Sequence, residues 1–272
     1  MRHALVLTLV VLVGVPVFGQ PAESDDKADA TPDFLQTDPG SGFAESGSQF
    51  CAPASVSNSL MYLADHGYGK LRPQAKTAKE AQAQIIRTLG SSEYMNTNPS
   101  IGTSPSEVTL GVRKYLQEHG CAIERLEYQG WRPGPDGNEA EHHHPDLRAL
   151  KQVLANPRGA VWLNVGWYTH DAESDEYARD GGHWVTAVGY RGDTLLVHDP
   201  SPRAGAEAWT QDVTVGTIAS GELTGDNKGL PQPAAGYLRL GGEMSLPERA
   251  DTCILDGVVL LVLGGGHGGD EE

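Results

Sequence analysis

The amino-acid sequence predicts an α+β domain in which N-terminal helices pack on a C-terminal antiparallel sheet. Apolar residues recur at helical spacing in the first half of the 272-residue chain, whereas the second half contains short apolar runs separated by turn residues. With 39% hydrophobic and 21% charged residues, the chain can bury one sizeable core. We therefore expect a single main domain, with its functional site between the two layers.

The first residues have the pattern of a secretory signal peptide. A basic start at Arg2 precedes an apolar run over residues 4–18 and a small residue at Gly19. An uncleaved membrane anchor is the alternative, but the run is short for a span of ~20 residues and Pro16 interrupts it. We expect residues 1–19 to be removed, and the mature protein to be secreted or periplasmic with no stable membrane association.

The segments that flank the predicted domain are polar. Residues 20–48 are rich in Asp, Ser, Gly and Pro, which predicts a flexible acidic segment, and residues 264–272 predict a disordered tail. The catalytic domain is then expected over residues 49–263. One hypothesis is that residues 20–48 form a removable pro-segment. The formal charge of −16 makes nucleic acid an unexpected partner, and composition does not determine the oligomeric state.

The first predicted helix begins near Cys51 and ends at Gly67, because Val56, Leu60 and Leu63 recur at helical spacing before a glycine. A thiol in the first turn has a chemical consequence: the aligned amide dipoles of the helix favour the thiolate. Cys51 is therefore expected to be more reactive than a free cysteine.

The remaining elements follow from the same signals. Two helices are predicted over residues 75–89 and 104–120, the latter opened by the capping box Ser104-Pro105-Ser106-Glu107, and Pro145-Asp146 opens a fourth helix. Strands are predicted over residues 121–128, 160–165, 183–190, 194–198, 236–240 and 252–263.

Three residues match the needs of nucleophilic amide hydrolysis, which requires a nucleophile, an acid–base group, an orienting group and oxyanion donors. Cys51 supplies the nucleophile and His183, at a strand start, supplies the acid–base group. Asp199 ends the next strand, and the turn at residues 191–193 brings the start of one antiparallel strand beside the end of the next. Asp199 is therefore the expected partner of His183.

These segments carry a family resemblance. Gly182-His183-Trp184-Val185-Thr186-Ala187-Val188-Gly189-Tyr190 resembles the histidine strand of papain-like peptidases. Val197-His198-Asp199-Pro200 resembles the acid-bearing segment of the C39-like branch, in which Asp replaces Asn. Gln49-Phe50-Cys51-Ala52-Pro53-Ala54, followed by Asn58, is similar to the nucleophile helix of that branch. The resemblance spans residues 49–200 and implies a papain-like fold, a peptide or protein substrate and no metal or organic cofactor.

One position departs from the pattern of that family. Its members usually carry an oxyanion-hole Gln about six residues before the nucleophile, where this chain has Glu45. Gln49, two residues before Cys51, is the preferred donor together with the Cys51 backbone N–H, and Gln36 is the alternative. The sequence does not decide between the two glutamines.

The sequence also contains other histidines and two further cysteines. His142-His143-His144 could bind a metal, but consecutive residues cannot all face one ion on a regular element, so a solvated loop is expected. His170 and His198 are alternatives to His183. Because an exported chain is exposed to oxidation, Cys121 and Cys253 could form a disulfide, with two separate buried thiols as the alternative.

The sequence thus predicts an exported cysteine peptidase that acts through a thioacyl-enzyme intermediate. A transglutaminase-like acyl transferase and a catalytically silent peptide-binding protein of the same fold are the alternatives. Specificity is expected from groove loops at residues 130–145 and 168–180, with Trp162, Trp167 and Trp184 in the core or along the groove. The preferred substrate side chain is not readable from the sequence.

Overall fold

A computed structural model describes residues 23–134, 144–205, 209–225 and 231–265 of the chain. The predicted signal peptide lies outside the described residues, as does the predicted tail apart from its first two positions. Within the described ranges, no helix is long and apolar enough to cross a membrane.

Within the ranges just given, four α-helices lie before or between the main strands, and each begins close to its predicted start. They are α1 (Cys51–Asp65), α2 (Ala78–Gly90), α3 (Pro105–Glu118) and α4 (Leu147–Leu154). Side-chain caps fix three of the starts, at Thr77, Ser104 and Asp146, and the predicted capping box of Ser104 and Glu107 is formed.

The described strands form one sheet in which nearly all neighbours are antiparallel. The strands are β1 (Glu23–Ser24), β2 (Ile123–Gly130), β3 (Gly159–Asp171), β4 (Glu176–Arg191), β5 (Thr194–His198), β6 (Gln211–Thr217), β7 (Glu222–Thr224), β8 (Gln232–Pro233), β9 (Leu238–Gly242) and β10 (Thr252–Leu263). Strands β3 and β4 are longer than predicted because they pair along a long hairpin. The prediction missed β6, which joins β5 to β9. Helices before and on an antiparallel sheet confirm the predicted fold class.

The two faces of the sheet bury different cores, as the alternation of strand side chains requires. On one face Trp162, Val259 and Leu261 pack with α1 and α3. On the other face Leu163 and Leu260 pack with α4 and the β5 and β6 strands. Each buried side chain of this size stabilises the fold by roughly 1.5–3 kcal/mol relative to an exposed one. Helix α1 is thereby pressed against β3 and β4.

Residues 23–48 pack on the domain, which differs from the flexible segment predicted there. Phe34 and Phe43 are buried with Phe50 in a small apolar cluster, and the backbone N–H of Gln36 donates to the Pro200 carbonyl at 2.9 Å. The mean polarity of the segment predicts disorder because it contains few aromatic residues. Burial of those few side chains is nevertheless enough to hold the segment on the domain. The segment therefore borders the turn that carries Asp199.

The three cysteines are free thiols, so the possible disulfide between Cys121 and Cys253 is not formed. Cys121 packs beside the core under α1 and α3, whereas Cys253 belongs to the core on the opposite face of the sheet. The two sulfur atoms thus pack against different cores, on opposite faces of the sheet. Burial, with the nearby carboxylates of Asp256 and Asp199, raises the pKa of the Cys253 thiol, which leaves it unreactive.

Candidate active site

A cleft of about 420 Å³ lies between the helical layer and the sheet. It is bordered by residues from both layers, among them Gln49, Cys51, Asn164, Trp167, His183 and Trp184. The predicted position of the site, between the two layers, agrees with this cleft.

Cys51 is the first residue of α1, and it is buried along the lining of the cleft. The preceding residue, Phe50, stacks on Phe43 with ring centroids 5.5 Å apart. A Cβ atom at Gly90 would lie 2.5 Å from the Phe50 ring, so α2 must present a glycine there. Packing of Phe50, rather than a side-chain cap, therefore fixes where α1 starts and where the thiol points.

Hydrogen bonds fasten α1 to β4, the strand that carries His183. The Ser55 hydroxyl donates to the Trp184 carbonyl at 2.9 Å, and the Thr186 hydroxyl donates to the Ser55 carbonyl at 2.8 Å. Asn58 adds a third connection, since its Nδ2 donates to Thr186 Oγ1 at 3.3 Å. Because all of these groups are buried, they hold the two elements in one register.

The structure brings His183 and Asp199 together. Asp199 follows β5, which pairs with β4 so that His198 lies opposite Thr186. His183 Nε2 lies 2.6 Å from Asp199 Oδ1, and the same oxygen accepts the Ser201 backbone N–H at 2.9 Å. Both side chains are almost fully buried. The imidazole is therefore held in one orientation with its Nδ1 edge free for another partner.

That other partner is the Cys51 thiol, which interacts with the His183 ring. Burial disfavours the charged imidazole, but the Asp199 carboxylate and the Cys51 sulfur outweigh it and raise the pKa of His183 to about 9. The ring therefore carries a proton at neutral pH. This arrangement suits a thiolate–imidazolium pair.

Trp167 covers the imidazole on one side. Its ring stacks on that of His183 with centroids 5.8 Å apart and planes at 21°, and the Arg203 guanidinium lies 4.5 Å from the Trp167 ring. The indole limits access of water to the His183–Asp199 pair. Trp162 and Trp184 are fully enclosed in the core, although Trp184 also borders the cleft.

The two candidate oxyanion donors differ in their surroundings. Gln49 is half-buried beside the cleft, next to Gly102. Gln36 instead donates from Nε2 to the carbonyls of Gly47 and Ser48, both at 3.0 Å, so its amide braces the turn that precedes Cys51. Of the two, Gln49 is the one whose amide borders the cleft.

Asn164 was not singled out from the sequence, although it borders the same cleft. It is 1% exposed, and among the described residues its Oδ1 has no hydrogen-bond partner. The available signal was one amide within an otherwise apolar run, Ala160-Val161-Trp162-Leu163-Asn164-Val165. A buried amide with an unmet acceptor can bind the backbone of a substrate.

Among the described histidines, those other than His183 do not border the cleft. His198 contacts Thr210 Oγ1 at 3.0 Å, and His170 stacks on Tyr177 and contacts Asp175. His142 and His143 lie outside the described residues, and His144 packs against Tyr237. In the described part of the chain, no group of three His, Cys, Asp or Glu side chains is placed to hold a metal ion.

Comparison with protein-family models finds one match that accounts for these features. The model of the Peptidase_C39 like family matches residues 29–218, which includes Cys51, His183 and Asp199 and most of the segment before α1. Comparison with curated proteins finds no match. Because the family model covers more than half of the chain, the protein belongs to the Peptidase_C39 like family.

Proposed function

We propose that the protein is an exported cysteine peptidase in which Cys51 is the nucleophile, His183 the general base and acid, and Asp199 the orienting group. The observation that carries the proposal is the buried 2.6 Å contact between His183 and Asp199, with the Cys51 thiol against the same imidazole along the lining of a cleft. Membership of a peptidase family supports a peptide substrate.

The proposed reaction has two halves. The Cys51 thiolate attacks the peptide carbonyl carbon, forming a C–S bond, and the protonated His183 gives its proton to the amine as the C–N bond breaks. Water then loses a proton to His183 and attacks the thioester carbon; the C–S bond breaks, the acid leaves, and the thiolate–imidazolium pair is restored. Asp199 keeps the ring in one tautomer and stabilises its charged form throughout.

The negative carbonyl oxygen of each tetrahedral intermediate needs fixed donors. The backbone N–H of Cys51 and the side-chain amide of Gln49 are the donors we propose, since both border the cleft beside the sulfur. Loss of one such donor typically lowers kcat about 10²-fold or more. Gln49→Ala should show that loss, whereas Gln36→Ala should act mainly on stability because its amide is bound to the turn.

Thiol labelling tests whether the site is chemically active. Iodoacetamide at pH 6 should modify Cys51 before Cys121 and Cys253, and the preference should disappear in His183→Ala. Cys121→Ala serves as the matched control because it removes a half-buried thiol outside the cleft. Absence of preferential labelling would favour a silent binding protein.

A peptide-library digest that compares the wild type with Cys51→Ala tests hydrolysis itself. Cleavage by the wild type alone supports the proposal. Addition of a primary amine separates hydrolysis from acyl transfer, because a transferase would give amine adducts instead of free acids. Cleavage by both forms would contradict the assigned nucleophile.

Export is the part of the proposal that depends on the leader pattern at residues 1–19. N-terminal sequencing of the protein recovered outside the cytoplasm should give a chain that begins at or near Gln20. If the fully active form retains Gln20, residues 20–48 are not a removable pro-segment. The packing of Phe34 and Phe43 against Phe50 agrees with a segment that stays in place.

A further inference from the structure

One end of the cleft is basic, although the chain has a formal charge of −16. Arg132, Arg179 and Arg249 border this end together with His183. Arg249 forms an ion pair with Asp180, which also borders the cleft, so that pair is neutral. The guanidinium groups of Arg132 and Arg179 also border the cleft.

Arg179 is held in place by a buried carboxylate. Its Nε donates to Asp256 Oδ2 at 2.7 Å, and Asp256 is 0% exposed. The other oxygen of Asp256 accepts the Tyr168 hydroxyl at 2.5 Å and the Trp131 indole N–H at 3.1 Å. The guanidinium therefore has a fixed position, with its Nε edge turned to Asp256 and its outer nitrogens left for other partners.

Gly182 leaves room for that guanidinium against the backbone of β4. A Cβ atom at position 182 would lie 2.2 Å from Arg179 Nη2, so a larger residue would displace the group. Gly182 directly precedes His183 in β4. Arg179 and His183 both border the cleft of the proposed peptidase.

Arg132 adds a second guanidinium, and Asp256 forms its ion pair with Arg179 rather than with Arg132. Burial lowers the pKa of Arg132, and the nearby Arg179 lowers it further while Asp256 opposes both. Among the described residues, no carboxylate forms an ion pair with Arg132. Glu107 also borders the cleft, but it accepts the Ser104 backbone N–H at 2.9 Å in the helix cap. Among the described residues, the two guanidinium groups thus share one nearby carboxylate, Asp256, while the Glu107 carboxylate is bound in the helix cap.

We propose that Arg132 and Arg179 form a subsite that binds a carboxylate of the substrate, either an acidic side chain or a free C-terminus. The inference rests on the proposed function, because it assumes a peptide in the cleft. A planar guanidinium pair matches the two oxygens of a carboxylate, and a partly buried site strengthens the attraction. The subsite gives the otherwise acidic protein a preference for acidic peptides at this one place.

Binding measured without cleavage tests the subsite separately from the chemistry. The Cys51→Ala variant is mixed with pooled hexapeptides of identical composition, with one pool carrying Glu where the other carries Gln, and each pool is made with free and amidated C-termini. We expect retention of the preferred carboxylate pool on the order of tenfold above its neutral counterpart. Preference for Glu identifies a side chain, and preference for the free acid identifies the chain terminus.

Arg132→Gln in the same background should abolish the preference, while Arg125→Gln should keep it. Arg125 is a suitable control because it is paired with Glu127 on β2 and does not border the cleft. Arg179→Gln is avoided, because it would leave Asp256 buried without its cation. Equal retention of charged and neutral pools, or a preference that survives Arg132→Gln, would overturn the subsite. Neither result bears on the library digest, which tests the peptidase activity by itself.

Discussion

Two buried carboxylates stand in the sheet half of this molecule, and their surroundings differ. Asp256 accepts hydrogen bonds from Arg179, Tyr168 and Trp131, so both of its oxygens are engaged. Asp199 has one oxygen bound to His183 and the Ser201 backbone N–H, while in the described structure its Oδ2 has no partner. One carboxylate is fully paired with a permanent cation, and the other is paired with a group that gains and loses protons.

The difference separates a structural role from a chemical one. An arginine stays charged at every accessible pH, so the Asp256 cluster can only hold its surroundings in place. A histidine can release its proton, so the Asp199 pair can change charge during a reaction. Asp199 Oδ2 is buried without a hydrogen-bond partner among the described residues, which lowers the stability of the fold. Such a loss is expected at a site that serves activity.

Removal of the Asp256 carboxylate should have the largest effect on stability. Asp256→Ala leaves the buried Arg179 without its anion, and loss of one partner of a buried pair costs about 3–5 kcal/mol in the free energy of unfolding. Urea unfolding measures the change. Asp193→Ala is the control, because its exposed carboxylate should matter by less than about 0.5 kcal/mol. A loss below about 1 kcal/mol for Asp256→Ala would contradict the structural role.

Removal of the Asp199 carboxylate should act mainly on activity. Asp199→Ala frees the His183 ring and removes the charge that stabilises its protonated form, so kcat/KM should fall about 10²–10³-fold. Its cost in unfolding free energy should be smaller than that of Asp256→Ala, because His183 can become neutral. Peptide hydrolysis and urea unfolding of the same samples give both values. If Asp199→Ala lost as much stability as Asp256→Ala and kept its activity, the two carboxylates would not differ in role.

A third acid, Asp33, sharpens the comparison because it is half-buried and no cation among the described residues pairs with it. Burial and, to a smaller extent, Asp199 raise its pKa to about 7, although the Trp209 backbone N–H favours the charged form. Because the folded state holds this proton more tightly than the unfolded state, the fold loses stability as pH rises from 3.8 to about 7. Above about pH 7 the loss is complete.

Asp33→Asn should therefore raise the free energy of unfolding at pH 8 by roughly 2–4 kcal/mol and have little effect near pH 4. Thermal unfolding at the two pH values measures the difference. Asp38→Asn is the matched control in the same segment, and it should lower stability slightly because Asp38 pairs with Lys79 at 2.7 Å. A stabilisation by Asp33→Asn of equal size at both pH values would refute the assigned cause.

The smallest expected effect is on the pH dependence of peptide hydrolysis. With the pKa of His183 raised to about 9, hydrolysis should decline as pH rises through about 9, where the ring loses its proton. The stabilisation from this pair is complete below the unfolded pKa of 6.5 and is lost over the same rise in pH. Asp199→Asn keeps an orienting acceptor but removes the charge, so the alkaline limb should move to lower pH. If the alkaline decline in activity stays at the same pH in Asp199→Asn, a group other than His183 causes it.

The elements that depend on local signals were readable from the sequence. Caps and helical spacing predicted α1 to α4, and the continuous apolar run predicted β10 to the residue. The pairing of His183 with Asp199 was also predictable, because a short turn between adjacent antiparallel strands constrains which ends meet. These features rest on contacts close in the chain.

Features that depend on distant contacts were decided only by the tertiary structure. Composition predicted a flexible segment where Phe34 and Phe43 are buried. The odd number of cysteines suggested a disulfide, but Cys121 and Cys253 pack against cores on opposite faces of the sheet. The strand β6 lacks a strong apolar run, and its place is set by β5 and β9 on either side. Averages over a window do not reveal which side chains find partners far away in the chain.

The sequence by itself determined the α+β class, the order of the helices and main strands, and the Cys51, His183 and Asp199 candidates. The tertiary structure decided that Gln36 braces a turn whereas Gln49 borders the cleft, and that Asn164, Arg132 and Arg179 border the same cleft. The physical reason is that a motif records neighbours along the chain. A cleft is assembled from residues that only folding brings together, and its charge depends on which of them neutralise one another.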